Sequence, residues 1–276
     1  ENVRSIVCPY HAWTYDLEGN LRAAPHFGGY QTTTTPGFDL ASHGLKALRT
    51  ETFADWVFVN PDANAVQLGE YLRPLLVEIN RFDFSKLRHF LTLDFGDIAA
   101  NWKLMLENSL ENYHVAHVHS ETAGQHRLQD HFSITREHCI GTGIDVEAPT
   151  HHRANTCNRG EPQTLNMSAR YLALMPNFFL VTYAPDILIT HFRIPVCATS
   201  TIFKVNAYTT SGRQLDSEAV ESWRRLALKV QHEDIQIQLE QQAGRRSPAG
   251  KDGGVISPAF EKSVRAFHRY LISLLR

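Results

Sequence analysis

Hydrophobic and polar positions change rhythm several times along this chain. Between residues 5 and 60 the apolar positions come in short β-branched and aromatic runs: "SIV" at 5–7, "WTYD" at 13–16 and "WVFVN" at 56–60. "DLEGN" and the prolines and glycines between 25 and 37 separate them, and short runs bounded by turn residues predict strands. Near residue 61 the rhythm becomes helical. "VQLGEYLRPLLVEIN", 66–80, is amphipathic, so a domain boundary is expected here, with domains at 1–61 and 62–276. A second helix is predicted over 99–114, where Trp102, Met105, Leu106, Leu110 and Tyr113 share a face. A polar, histidine-rich stretch runs from about 117 to 160. Residues 171–210 hold three strand-like runs separated by "APD" and "PVCATS", which suits an antiparallel meander. Further helices are predicted over 217–242, with Trp223, Leu226, Val230 and Ile237 as the apolar stripe, and over 258–275. Strands in blocks flanked by long helices define an α+β fold class.

Composition narrows the possibilities. A chain of 276 residues, 43% hydrophobic and 20% charged, can bury a sizeable core in about two domains. Formal net charge is −2 with no block of like charge, which argues against a nucleic-acid surface or a polybasic membrane contact. No apolar run approaches the roughly 18 residues of a membrane helix. Cys8, Cys139, Cys157 and Cys197 are too scattered for a small disulfide framework, so a reducing, cytoplasmic setting is expected. Histidine is the conspicuous excess, at fifteen residues.

Three groups of residues could carry chemistry. Cys8 and His11 stand at metal-ligand spacing, with Pro9 restricting the backbone between them. Alone, the pair reads equally well as a free thiol beside a surface histidine. His114, His117 and His119 end the helix of "NWKLMLENSLENYHVAHVHS", where histidines also suit the negative end of the dipole. His114 and His117 share a face on a straight helix. His114 and His119 are roughly 140° apart and could meet at one ion only if the helix ended or bulged between them. In "ESWRRLALKVQHEDIQIQLEQQ", 221–242, Glu233 and Asp234 flank the apolar stripe, each about 50° from its middle. Either could turn inward toward a metal or another partner, and both read equally well as solvated acids. The histidines at 151 and 152 and His191 lack partners at ligand spacing. "GTGID" at 141–145 is not a dinucleotide fingerprint, because no third glycine follows it.

The run "CPYHAWTYDLEGNLRAAP" resembles the second half of a Rieske 2Fe-2S motif. Glu107, Asn108, Glu111, Tyr113, His114 and His119 match E-N-x-x-E-x-Y-H-x(4)-H. That is the signature of the catalytic α subunits of Rieske non-haem iron oxygenases, the aromatic ring-hydroxylating dioxygenases and their monooxygenase relatives. "EDIQIQLEQ" and "GGVISPAFEKSVRAFHRYL" resemble later segments of the same family.

The resemblance implies a remnant of an all-β Rieske domain over 1–61, then a helix-grip catalytic domain in which an antiparallel sheet holds a long helix. It assigns a mononuclear Fe(II) to His114, His119 and Asp234, leaving His117 and Glu233 outside the coordination sphere. Asn108 is implied to lie close to the iron, and Glu111 to carry the contact to a neighbouring subunit's cluster histidine. Cys8 and His11 would be two of four ligands to a Rieske 2Fe-2S cluster. The other pair is expected upstream of Glu1, so the chain reads as N-terminally truncated.

The implied function is O₂-dependent hydroxylation of a small, aromatic substrate by the oxygenase component of a multicomponent system. Electrons would come from a separate reductase, with or without a ferredoxin. A homotrimer is expected, with or without β subunits. Two rivals remain. The interval of 115 residues from His119 to Asp234 looks more like the branch acting on quaternary ammonium compounds. A helix-grip fold could also serve as a non-catalytic ligand-binding module.

Overall fold

The computed structural model describes residues 3–33, 35–122, 128–146 and 167–275. The histidines at 151 and 152, Cys157 and much of the polar stretch around them lie outside the described residues. The chain divides into two compact units, Glu1–Leu68 and Gly69–Arg276.

In the first unit β1 (Ile6–Val7), β2 (Thr14–Tyr15) and β3 (Leu21–Ala23) form a three-stranded antiparallel sheet. The "DLEGN" turn closes because the Asp16 carboxylate accepts from Asn20 N at 2.8 Å and Arg22 Nε at 2.7 Å. Gly19 supplies the left-handed residue the turn needs, at φ +87°. β4 (Arg49–Phe53) and β5 (Trp56–Asn60) form a separate hairpin. Leu21, Ala24 and Trp56 are buried, and Phe27 stacks on Phe38 at 3.8 Å between ring centroids.

The second unit is built on seven antiparallel strands. Along the chain run α1 (Leu68–Glu78), β6 (Arg88–Ile98), α2 (Trp102–Ser109), α3 (Val115–Val118), β7 (His131–Arg136) and β8 (Cys139–Val146). β9 (Met167–Leu174), β10 (Phe178–Tyr183), β11 (Ile187–Cys197), β12 (Ser200–Thr209), α4 (Ser217–Arg246) and α5 (Lys262–Ser273) follow. The sheet order is β6-β12-β11-β10-β9-β8-β7. The expected α+β helix-grip arrangement is the one found.

The details depart from the periodicity reading in three places. Met175, Pro176 and Asn177 turn the chain between β9 and β10, so the meander has four strands over its span rather than three. The β7–β8 hairpin occupies part of the stretch that reads as polar and irregular. The helix expected over 99–114 ends at Ser109.

The long helix α4 is held against the sheet by an apolar row. Trp223, Ala227, Ile235 and Leu239 pack on a core that includes Leu91, Leu93, Phe203 and Val205. Leu226, expected in that row, is 41% exposed instead. Asp216 caps the helix start by accepting from Ala219 N at 2.8 Å, and Arg245 and Arg246 in the last turn suit the negative end of the dipole. Gln238 and Gln242 are the buried residues of α4, and both reach α2. Gln242 Oε1 accepts from Asn101 N at 2.8 Å, while Asn101 Oδ1 accepts from Lys103 N at 2.9 Å. The start of α2 is thereby pinned to α4.

Candidate metal centre

The end of α2 decides which histidines meet. Glu111 follows the helix by two residues, and its carboxylate accepts from the backbone N–H groups of both Tyr113 and His114. A side chain that takes these donors competes with helix continuation. The chain restarts as α3, a single turn with His114 at its N-cap and His119 at its C-cap. The two imidazoles then face each other, with ring centroids 5.3 Å apart. His117, on the turn between them, is exposed. Spacing on a straight helix favours His114 with His117, whereas the broken helix brings His114 to His119.

Each imidazole is held at Nδ1 by a carboxylate. His114 Nδ1 lies 2.5 Å from Glu111 Oε1, and His119 Nδ1 lies 2.8 Å from Glu233 Oε2. A carboxylate at Nδ1 fixes the tautomer and turns Nε2 outward as a lone-pair donor. Both Nε2 atoms point at one oxygen of Asp234, at 3.0 Å from His119 and 3.6 Å from His114. Ligand atoms of His114, His119 and Asp234 lie within 4.8 Å of one another. Asn108, 8% exposed, stands behind them. Its Nδ2 donates to His114 Nε2 at 3.0 Å and to Asp234 Oδ1 at 3.2 Å, and its Oδ1 accepts from Gln238 Nε2 at 2.9 Å.

Three carboxylates surround two imidazoles here. Burial works against a charged His119, but hydrogen bonds and charge from Asp234 and Glu233 outweigh it and raise its pKa above the ordinary histidine value. Without a metal, a proton on His119 offsets the local negative charge, and a divalent cation would displace it. Two imidazole nitrogens and one carboxylate oxygen are the donor set suited to Fe(II) with open positions, so the residues present fit that ion.

Gln238 is the site residue the pattern reading left out, whereas Glu233, one of its two candidate acids, holds His119 at Nδ1. Glutamine reads as surface on a helical wheel, yet Asp234, Gln238 and Gln242 repeat every four residues and so share a face. That repeat is the signal available for them. Cys8 and His11 lie in the β1–β2 loop, where Cys8 N donates to Trp13 O at 2.8 Å and Ala12 N to Cys8 O at 3.0 Å. Among the described residues no third histidine, cysteine or carboxylate joins them as a metal-binding group.

An antiparallel sheet holding a long helix, with two histidines and one carboxylate brought within reach of one another, is a fold with a site for one metal ion. The chain belongs to the ring hydroxylating alpha subunit family, whose catalytic-domain model matches residues 82–276. It is 24% identical over 276 residues to choline monooxygenase, chloroplastic, of Atriplex hortensis, covering 98% of this chain and 59% of that protein. It is 33% identical over 119 residues to the glycine betaine monooxygenase oxygenase subunit of Pseudomonas aeruginosa, covering 43% and 26% of the two chains. The chain thus spans about three-fifths of the length of the full-length choline monooxygenases it matches, as its 59% coverage gives. Among solved structures it resembles the quaternary ammonium Rieske monooxygenase CntA in complex with gamma-butyrobetaine. The TM-score is 0.73 at 18% identity, over 99% of this chain and 72% of that one, a likeness of fold.

Proposed function

We propose that this chain is the catalytic part of a Rieske-type oxygenase component, with an iron held by His114, His119 and Asp234. The observation that carries the reading is the convergence of two carboxylate-oriented Nε2 atoms on a single Asp234 oxygen. Fe(II) bound there would supply the redox chemistry for oxygen insertion from O₂. The chain's own residues do the positioning. Glu111 and Glu233 hold the Nδ1 protons, and Asn108, fixed by Gln238, holds Asp234 in place through its amide. Phe179 and Val181 belong to a buried core against which Tyr171, Tyr183 and Ile189 pack.

Glu111 is the side chain through which a neighbouring subunit would reach His114. Cys8 and His11 would hold a Rieske 2Fe-2S cluster with two of its four ligands. A separate reductase, with or without a ferredoxin, is the proposed electron source, and a homotrimer the proposed assembly, with or without β subunits. Cys8, Cys139 and Cys197 are free thiols, in keeping with a cytoplasmic setting. No described helix is long and apolar enough to cross a membrane.

The names of the relatives, together with the short interval between His119 and Asp234, favour monooxygenation of a small quaternary ammonium compound over dioxygenation of an arene. The test is product analysis. Fe(II)-loaded protein is given peroxide with choline, glycine betaine, carnitine or naphthalene. A dealkylated or hydroxylated amine is expected from at least one ammonium compound. A diol from naphthalene, or no product from any of them, would overturn the reading.

A further inference from the structure

The pairing of His114 with His119 depends on α2 ending at Ser109, yet Leu110 and Tyr113 would continue its apolar stripe. Glu111 acts on the break from beyond it. From the helix side the end is held by a residue of β11. Arg193 is 9% exposed, and its guanidinium sits 4.7 Å from the ring centroid of Phe179 and 5.6 Å from that of Phe203. Its Nη2 donates to Ser109 Oγ at 2.5 Å and to His191 Nδ1 at 3.1 Å.

Ser109 Oγ in turn donates to Met105 O at 3.2 Å. The guanidinium therefore grips the last residue of α2 through a hydroxyl already bonded to a last-turn carbonyl, at the negative end of the helix dipole. Burial pulls the Arg193 pKa down to about 9 while the charge of Asp234 opposes the fall, so the group is a cation at neutral pH and lies close enough to the metal ligands to feel one of them.

Stability does not account for this arginine. Among the described residues no carboxylate forms an ion pair with it, and its Nε is buried without a partner. A buried cation with an orphan donor costs free energy that an apolar side chain of similar length would not. What it does hold is Ser109, which directly follows Asn108, whose amide touches His114 and Asp234.

We propose that Arg193 is a positioning residue of the metal centre. By gripping Ser109 it fixes where α2 ends, with Asn108 on the helix side of the break and the Glu111–His114 pair beyond it. This inference rests on the metal-centre reading and adds a residue that touches none of the three ligands. Charge and position act here in opposite senses. Removing a nearby cation would by itself draw a divalent ion in more tightly. Freeing the end of the helix lets the ligands drift apart and weakens the hold.

Anaerobic titration with Co(II), followed by its visible ligand-field bands, separates the two, with urea unfolding of the same metal-free samples in parallel. Arg193→Met is expected to bind Co(II) about tenfold more weakly, with altered bands. Its urea midpoint should be unchanged or raised, because no buried charge is left unpaired. Arg193→Lys keeps the charge and one donor and should recover part of the affinity. Ser109→Ala leaves the charge in place and should weaken Co(II) binding in the same sense. Adding Arg193→Met to it should weaken binding no further, since both changes remove one contact. Co(II) affinity in Arg193→Met that equals or exceeds wild type overturns the proposal, and so does a loss that only follows the fraction of unfolded protein. Should Arg193→Met not fold, Ser109→Ala decides alone, and wild-type affinity there overturns it. Wild type that binds no Co(II) would sink the metal centre and this inference together, whereas tight binding shared by wild type and variants sinks this inference only.

Discussion

Glu233→Gln measures how far the carboxylate behind His119 tunes the metal site. Glu233 Oε2 accepts from His119 Nδ1 at 2.8 Å and from Thr122 Oγ1 at 2.8 Å. A glutamine in the same rotamer keeps an oxygen to accept both bonds but removes the negative charge. The imidazole becomes a poorer donor, and the ion loses an attractive charge one ligand away. Partners of this kind typically change metal affinity by about 10- to 100-fold, or roughly 1.4 to 2.7 kcal/mol. Glu233→Ala removes the orienting bond as well and should fall at the weak end of that range or beyond it. Thr122→Val removes only a donor to Glu233 and should cost less than either. Anaerobic competition between the protein and a chromophoric Fe(II) chelator gives the three constants. Affinity within about twofold of wild type in both Glu233 variants would refute the claim that the Nδ1 carboxylate matters, and Glu233 would return to being a solvated acid.

Three further outcomes concern the scaffold. His191 is buried neutral with its pKa pushed well below 6.5, so the unfolded chain binds more protons at acid pH. Its contribution to stability is complete above 6.5 and is lost as pH falls toward the folded value, at up to about 1.4 kcal/mol per pH unit. His119, raised in the metal-free protein, contributes in the opposite sense, so urea titrations of His191→Gln and wild type at pH 7.5 and 5.5 should be compared by difference. A Cβ at Gly141 would stand 1.9 Å from the Tyr171 carbonyl oxygen on the neighbouring strand. Gly141→Ala should therefore cost about 3 kcal/mol or more in urea unfolding, and an unchanged midpoint would show that β8 and β9 can separate cheaply. Phe267 is fully buried in α5 and packs edge-on to Trp102. Phe267→Ala should lose about 3 to 5 kcal/mol, against about 0.5 or less for the exposed Leu275→Ala.

Helical periodicity made α1, α4 and α5 legible, because each has a buried side and a wet one. The sheet was only partly legible, for a physical reason visible in β8. "CIGTGIDV" carries two glycines, which weaken any strand pattern, yet its first six residues are buried. Gly141 is there because the backbone of β9 approaches too closely for a side chain. The end of α2 was equally hidden. Neither glycine nor proline marks Ser109, and the chain leaves the helix through the side chain of Glu111, a contact that periodicity does not encode. The meeting of His114 with His119 depends on that break, whereas spacing on a straight helix pairs His114 with His117. Asp234 was legible as one of two candidates. That both acids grip the same imidazole, from opposite nitrogens, needed the three-dimensional arrangement.

The metal centre is tested most directly by iron content after anaerobic loading and gel filtration of single variants. His119→Ala and Asp234→Ala should each emerge with little iron, because two remaining protein ligands hold a labile Fe(II) weakly. His117→Ala should emerge with about as much as wild type, since its side chain is exposed and outside the group His114, His119 and Asp234. Iron retained by His119→Ala and lost by His117→Ala would contradict the assignment outright.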